Sequence, residues 1–201
     1  MMTTDKQLDD SLVCDEALAE RARRGSGVAF AALVTRHGDA VYAIARNMCV
    51  TVRDAEEVLQ QAFLSAWRDL KFLPAGARFT TWLYGIAMKT ALAHRQRDRR
   101  RPSPSLEAFL PAFDREGRLA ASKGRWPELD GGSSERFEIT GLLREALECM
   151  DDQTRAAFVL PDLVQLPAEE AAVILQTSPQ AVRRDAHRAR LMLRGFILSQ
   201  G

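Results

Sequence analysis

Residues 52–70 read VRDAEEVLQQAFLSAWRDL, and the order of apolar and polar side chains along them decides what kind of fold the chain adopts. Val52, Ala55, Val58, Leu59, Ala62, Phe63, Ala66, Trp67 and Leu70 recur at steps of three and four. On a helix of about 3.6 residues per turn that spacing draws a single apolar stripe. The remaining flank carries Asp54, Glu57, Gln60, Gln61 and Arg68, a polar surface on a helix whose other side must be buried.

The same period runs outward from this segment. Apolar residues keep helical spacing from about Val28 to His94, with no convincing alternation of the kind a strand needs. Helices are expected near 15–24, 27–48, 52–71 and 79–99. Between Pro102 and Glu135 the pattern breaks: RPSPSLEAFLPAF supplies prolines that cannot donate to a helix, and WPELDGGSS ends in turn formers. Four more helices follow, in EITGLLREALECM, DQTRAAFVLPDLV, PAEEAAVIL and SPQAVRRDAHRARLMLRGFIL. Pro161 falls where the second of these should still be running and predicts a kink or an early end. The expected fold is all-α. An acidic disordered tail over 1–14 precedes a helical domain over 15–101, a flexible linker over 102–135 and a second helical domain over 136–201.

A formal net charge of +1 over 201 residues names no partner, but the charges are segregated. The first twenty residues are mainly acidic, whereas Arg95, Arg97, Arg99, Arg100 and Arg101 crowd against Asp98 alone. A second basic concentration lies in SPQAVRRDAHRARLML, 178–193. Two separated basic faces suit an extended polyanion touched at two places. No apolar run approaches a membrane span, and MMTTDKQLDD lacks the basic start and apolar core of a secretory signal, so a cytosolic protein that does not enter the membrane is expected. Cys14, Cys49 and Cys149 form no C-x-x-C pair and read as reduced thiols.

The second basic segment has the layout of a helix-turn-helix. Ala172 is small where two helices approach, QTS makes the turn, and Val182, Ala186 and Leu193 face back toward the first helix. Ser178 can cap the helix that Pro179 opens. Ser178, Gln180, Arg183 and Arg184 then lie at the leading end, where they can enter a major groove, because arginine reads guanine bidentately and glutamine suits adenine. Arg188, Arg190 and Arg194 suit phosphate or solvent, and His187 is a surface or packing residue rather than a metal ligand. In the first domain KFLPAGARFTTWLYGIAMKTALAHRQRDRRR interleaves aromatic and basic residues, the mixture that holds single-stranded nucleic acid. Phe79, Trp82 and Tyr84 offer ring faces. Phe79, Trp82, Leu83, Ile86 and Ala87 equally make a buried stripe, which leaves Thr81 and Tyr84 as the better contact candidates. There is no phosphate loop, H-E-x-x-H or nucleophile motif, so neither catalytic residues, metal nor cofactor are expected.

DAEEVLQQAFLSAW, then FTTWLYGIA, then LPAEEAAVILQTSPQAVRRDAHRARLML together resemble the bacterial sigma factors of the extracytoplasmic-function group. The resemblance spans nearly the whole chain outside the tail and linker. It implies that the first domain, region two, grips a coiled coil of the largest subunit of core RNA polymerase, through Asp54, Glu57, Gln60, Gln61, Phe63 and Trp67, and opens the minus-ten element. The loop from Lys71 to Thr80, with Arg78, would capture a flipped base, and the helix from Thr81 through Arg95 would follow the opened strand. Lys71, Arg78, Phe79, Thr80, Thr81, Trp82, Tyr84, Lys89, Arg95 and Arg97 form the implied minus-ten surface. Region four would dock on the polymerase flap and read the duplex minus-thirty-five element with Ser178, Gln180, Arg183, Arg184, His187 and Arg188. The linker would thread toward the active-site and RNA-exit channels, with Phe109, Phe113 and Trp126 as anchors, although a plain tether fits its sequence equally. An anti-sigma factor that occludes the same surfaces is a further implied partner.

Some positions depart from the family pattern, which usually has Asn at Lys89, Gly at Gln165 and Gln176, Ser at Pro167 and a basic residue at Asp185. Lys89 would alter minus-ten preference. Asp185 would weaken phosphate contact or select a cytosine donor, and Gln176 must take up a backbone conformation that suits glycine. Two competing readings are a free-standing helix-turn-helix regulator that works without polymerase and a protein-only adaptor.

Overall fold

The computed structural model describes residues 13–98 and 133–200; most of the expected acidic tail and nearly all of the expected linker lie outside the described residues. Those residues form two four-helix bodies without a strand. The first holds α1 (Asp15–Arg23), α2 (Gly27–Met48), α3 (Val52–Asp69) and α4 (Phe79–Asp98), with a 3-10 turn over Leu70–Phe72. The second holds α5 (Ser133–Glu148), α6 (Asp152–Phe158), α7 (Ala168–Ile174) and α8 (Pro179–Gln200). Helix α5 begins inside the stretch expected to be linker, at the serine pair where turn formers can equally open a helix.

Local chemistry fixes the helix starts. Ser26 accepts from the amide of Ala29 at 3.3 Å, Thr51 from that of Asp54 at 3.1 Å, and Asp151 from that of Thr154 at 2.9 Å, each satisfying an amide that the first turn would leave unpaired. Helix α6 stops at Phe158, and the chain winds through a wider π turn over Val159–Leu163, which accommodates the missing amide of Pro161.

In the first body the stripe of α3 is buried as its spacing demands: Ala55, Val58, Ala62, Phe63, Ala66 and Leu70 lie against Leu33, Val41, Ile44 and Met48 of α2 and Phe79, Leu83 and Ala87 of α4. That core does not end at the first body. Ala156, Val159, Leu160, Leu166, Ala171, Ala172 and Val182 of the second body belong to the same apolar cluster, so the two bodies are packed together. A Cβ placed on Gly85 of α4 would sit 3.9 Å from Ile174 of α7, an ordinary van der Waals contact, so the two helices pack directly on each other there. The second body keeps a smaller core of its own, with Leu147, Phe158, Ala189, Met192 and Phe196.

A buried polar network ties α1, α2 and α4. His37 places Nε2 2.9 Å from Asp15 Oδ2 and Nδ1 3.3 Å from the Tyr84 hydroxyl; the carboxylate accepts from Nε2, and Tyr84 donates to Nδ1. Burial pushes His37 below its ordinary 6.5, against the opposing pull of Asp15. The unfolded chain therefore takes up the proton first on acidification, and the contribution of His37 to stability is lost as pH falls from 6.5 toward the lower native value. Thermal melts across that window should show a steeper loss for the wild-type protein than for His37→Gln.

Gln165 and Gln176 have φ of 59° and 52°, the left-handed region expected for Gln176. The same conformation recurs at Gln165, the other position where the family pattern has glycine. For a side-chain-bearing residue this backbone costs roughly 1–2 kcal/mol, partly offset by the extra entropy glycine would lose on folding. Gln176→Gly is expected to stabilise the protein by about 0.5–1 kcal/mol in urea unfolding.

Candidate nucleic-acid interface

Three surfaces emerge, each set by helix geometry. On α3, Glu57, Gln60, Gln61, Leu64 and Trp67 fall on one outward face at steps of three and four. Gln61 donates to Glu57 at 2.8 Å, and His94 of α4 lies 3.6 Å from the same carboxylate. Asp54 is engaged at the helix start, accepting from the Thr51 hydroxyl at 2.5 Å. Trp67 is 43% exposed and packs on Phe30 at a ring separation of 4.9 Å, while Leu64 is 69% exposed. Phe63, expected on this face, is buried instead, with its ring edge-on to Phe30; it belongs to the core stripe and shapes the surface from beneath. Leu64 was not among the expected residues, although its place off the buried stripe marks it as an apolar side chain left outside.

The second surface is the loop after α3 and the adjoining flank of α4. Arg23 of α1 donates to the carbonyls of Leu70 and Leu73 and so pins the loop, and Gly76 makes its turn at φ 78°. Lys71 lies over the Phe72 ring at 5.0 Å. Arg78, Lys89 and Arg97 are exposed, and Thr80, Thr81, Trp82 and Arg95 are half-buried. Phe79 is fully buried and Tyr84 nearly so, so neither offers a ring face. For Phe79 the buried stripe is the reading that holds, with Trp82 packed 6.0 Å from it. Tyr84 is a correction, because its hydroxyl is committed to His37. Arg78 and Thr81 both donate to Glu170 of α7. Arg95 donates to Asp152 of α6 and to the carbonyls of Glu148 and Met150.

The third surface is the outer face of α8. Ser178 Oγ accepts from the amide of Ala181 at 3.2 Å, and Val182, Ala186 and Leu193 are buried. Gln180, Arg183, Arg184, His187 and Arg188 are exposed together on one face. Arg183 pairs with Glu169, and Arg190 donates from Nε and Nη2 to the two carboxylate oxygens of Asp162, at 2.8 and 3.0 Å. Asp185 is 8% exposed and accepts from Gln153 of α6 at 3.0 Å and from Arg184 at 2.9 Å. It points into the second body, so the expected part in phosphate repulsion or cytosine reading falls away, and its work is to join α6 to α8.

Two packed helical bodies, the second ending in a capped helix with an arginine-rich outer face, define a DNA-binding protein of the helix-turn-helix type. The Sigma-70 region 2 family matches residues 33–101, and the Sigma-70 region 4 family matches residues 140–193. The chain is 32% identical to the RNA polymerase sigma factor NccH of Alcaligenes xylosoxydans xylosoxydans over 92% of this chain and 95% of that one. It is 32% identical to the ECF RNA polymerase sigma-E factor of Escherichia coli K12 over 88% and 90%. Among solved structures, CnrH in complex with the cytosolic domain of CnrY is similar with a TM-score of 0.69 and 25% identity, over 93% of this chain and 99% of that one. The sigma factor RpoE in complex with the anti-sigma factor NepR from Bartonella quintana shares the fold, with a TM-score of 0.60. The chain belongs to the extracytoplasmic-function RNA polymerase sigma factors. It is an alternative sigma factor directing transcription initiation, and such factors initiate transcription rather than act as catalysts.

The burial of Asp185 carries a test. Asp185→Ala should cost about 1 kcal/mol in urea unfolding through the lost α6–α8 hydrogen bond. Selection from a randomised duplex pool should return the same base preference as the wild type.

Proposed function

We propose that the outward face of α3 is the polymerase grip, formed by Glu57, Gln60, Gln61, Leu64 and Trp67 with Asp54 at its leading end. The observation that carries this reading is a strip of carboxylate and amide side chains with two exposed apolar side chains on the same face of α3. A coiled-coil partner presents polar side chains along an apolar seam, and this strip offers the complement. The first body would then hold core enzyme and, through Lys71, Arg78, Thr80, Thr81, Trp82, Lys89, Arg95 and Arg97, the opened minus-ten strand. Its expected span is 15–101.

The second body, with expected span 136–201, would dock on the flap and read the minus-thirty-five duplex with Gln180, Arg183, Arg184, His187 and Arg188. Ser178 would place the helix start. Dividing recognition between two tethered bodies lets each bind weakly while the pair selects a promoter. The partner named for each of the two solved relatives, CnrY for CnrH and the anti-sigma factor NepR for RpoE, supports a regulator of the anti-sigma class here. No described helix is long and apolar enough to cross a membrane, and the proposed place of work is the cytoplasm, with the polymerase.

The test is a triple variant, Glu57→Lys with Gln60→Ala and Gln61→Ala, assayed against purified core enzyme. Its affinity should fall by about tenfold or more, on the order of 1.4 kcal/mol, with an unchanged circular dichroism spectrum. Wild-type affinity in a folded variant would point instead to a regulator that works without polymerase.

A further inference from the structure

Helix α1 is fastened along its whole length. Near its start Asp15 pairs with Arg36 and His37 of α2, and further on Leu18, Ala19 and Ala22 are buried. Just past its end Gly25 takes a φ of 98°, and the amides of Gly25 and Ser26 donate back to the carbonyls of Ala22 and Arg21 at 2.9 and 3.1 Å. A glycine in this left-handed conformation closes the last turn. Arg23 is the final residue of the helix, and each nitrogen of its guanidinium meets a protein oxygen. Nε donates to the Leu70 carbonyl at 3.4 Å, Nη2 donates to the Leu73 carbonyl, and Nη1 lies 3.5 Å from the carboxylate of Glu20 on the same helix.

The loop that Arg23 holds is not supported by packing. Pro74, Ala75, Gly76 and Arg78 are exposed, and a cavity of about 210 Å³ lies between the loop and α1, with Glu16 and Glu20 on its opposite wall. The loop's own backbone contributes a bond from the Leu73 amide to the Leu70 carbonyl and another from Ala77 to Pro74, both at 3.1 Å. These shape its turns without fixing where it stands relative to the first body. Side chains that fill the space behind a segment normally fix that position. Here a polar tie across to α1 does so at the end where the loop leaves α3.

We propose that Arg23 is a positioning residue for minus-ten recognition: α1 is a strut, and its guanidinium sets the loop from Lys71 to Arg78 against the opened strand without itself touching DNA. The inference rests on the proposed minus-ten surface and adds a specificity-determining residue from outside it. Discrimination between bases requires the reading groups to be held to within about 0.5 Å, a tolerance that a loop backed by a cavity meets only if it is tied. The planar fork of arginine reaches two carbonyls and a carboxylate at once, which the single ammonium of lysine cannot do in the same geometry.

The test is in vitro transcription by holoenzyme, assembled from purified core enzyme and full-length protein, on promoter libraries randomised separately in the minus-ten and minus-thirty-five elements. Arg23→Ala should flatten the minus-ten base preference by about tenfold, the order of what one recognised base pair contributes. Its minus-thirty-five preference and its affinity for core enzyme should stay within about twofold of wild type, as for a surface change remote from both. Arg24→Ala removes the same charge from the next position, where the side chain is 77% exposed and pairs with Glu20 alone, and should leave both preferences within about twofold. Arg23→Lys keeps the charge and should nevertheless resemble Arg23→Ala at the minus-ten element. Unchanged minus-ten preference in folded Arg23→Ala overturns the proposal. So does full wild-type preference in Arg23→Lys, because charge alone would then suffice, and so does an equal flattening of both elements or an equal effect of Arg24→Ala. Should Arg23→Ala lose its helical spectrum, Arg23→Lys decides the matter alone. Absence of any minus-ten preference in the wild-type holoenzyme strikes at the underlying reading instead.

Discussion

Helix α4 is covered on both sides, and the rest of the architecture depends on that constraint. Phe79, Leu83, Ala87 and Ala91 are buried with α2 and α3, while Gly85 on another flank admits Ile174 of α7. Its exposed positions in the second half are confined to a narrow strip that includes Lys89, Ala93, Gln96 and Arg97. A helix with apolar residues around most of its circumference cannot rest against a single partner layer. The second body supplies the missing layer, and this fixes where the loop from Lys71 to Arg78 and the outer face of α8 stand.

The junction so formed continues the apolar core of the first body but carries a different polar inclusion. The core of the first body is aliphatic and aromatic, with the Asp15–His37–Tyr84 network as its polar inclusion. The junction instead includes Arg155, whose burial is met by a backbone carbonyl. Burying an ion carries a penalty of several kcal/mol that mutual attraction must offset. Arg155 thus offsets part of what the apolar contacts across the junction contribute.

Charge pairing on the outer surfaces follows the same logic. Arg78, Arg183 and Arg190 each engage a carboxylate, yet their side chains are 66, 56 and 51% exposed. Exposed pairs of this kind contribute little to stability because water and salt screen them. They keep long side chains oriented. Asp185 is the contrast: buried against Gln153, it serves the fold, and its neighbour Arg184 keeps its exposed guanidinium at the surface.

The helical class, the course of all four helices of the first body, the break at Pro161 and the helix-turn-helix were legible in the sequence, because period and capping are local and residues within a few positions decide them. The left-handed turn at Gln176 was legible as a misfit of residue type to backbone. Burial was only half legible. Tyr84 looked available for contact because a stripe drawn on one helix has no knowledge of a neighbour such as His37, whereas Phe63 stood on the buried stripe from the start and only the family resemblance put it on the contact face. Asp185 looked like a surface residue of the basic face because its sequence neighbours are exposed arginines, whereas its partner Gln153 is 32 positions away. The sequence by itself thus determined which segments are helices and where their cations cluster. Only the tertiary structure decided which of those cations meet the other body, because long-range pairs such as Arg78 with Glu170, 92 positions apart, follow from the packing of α7 on α4 and leave no periodic trace in either segment.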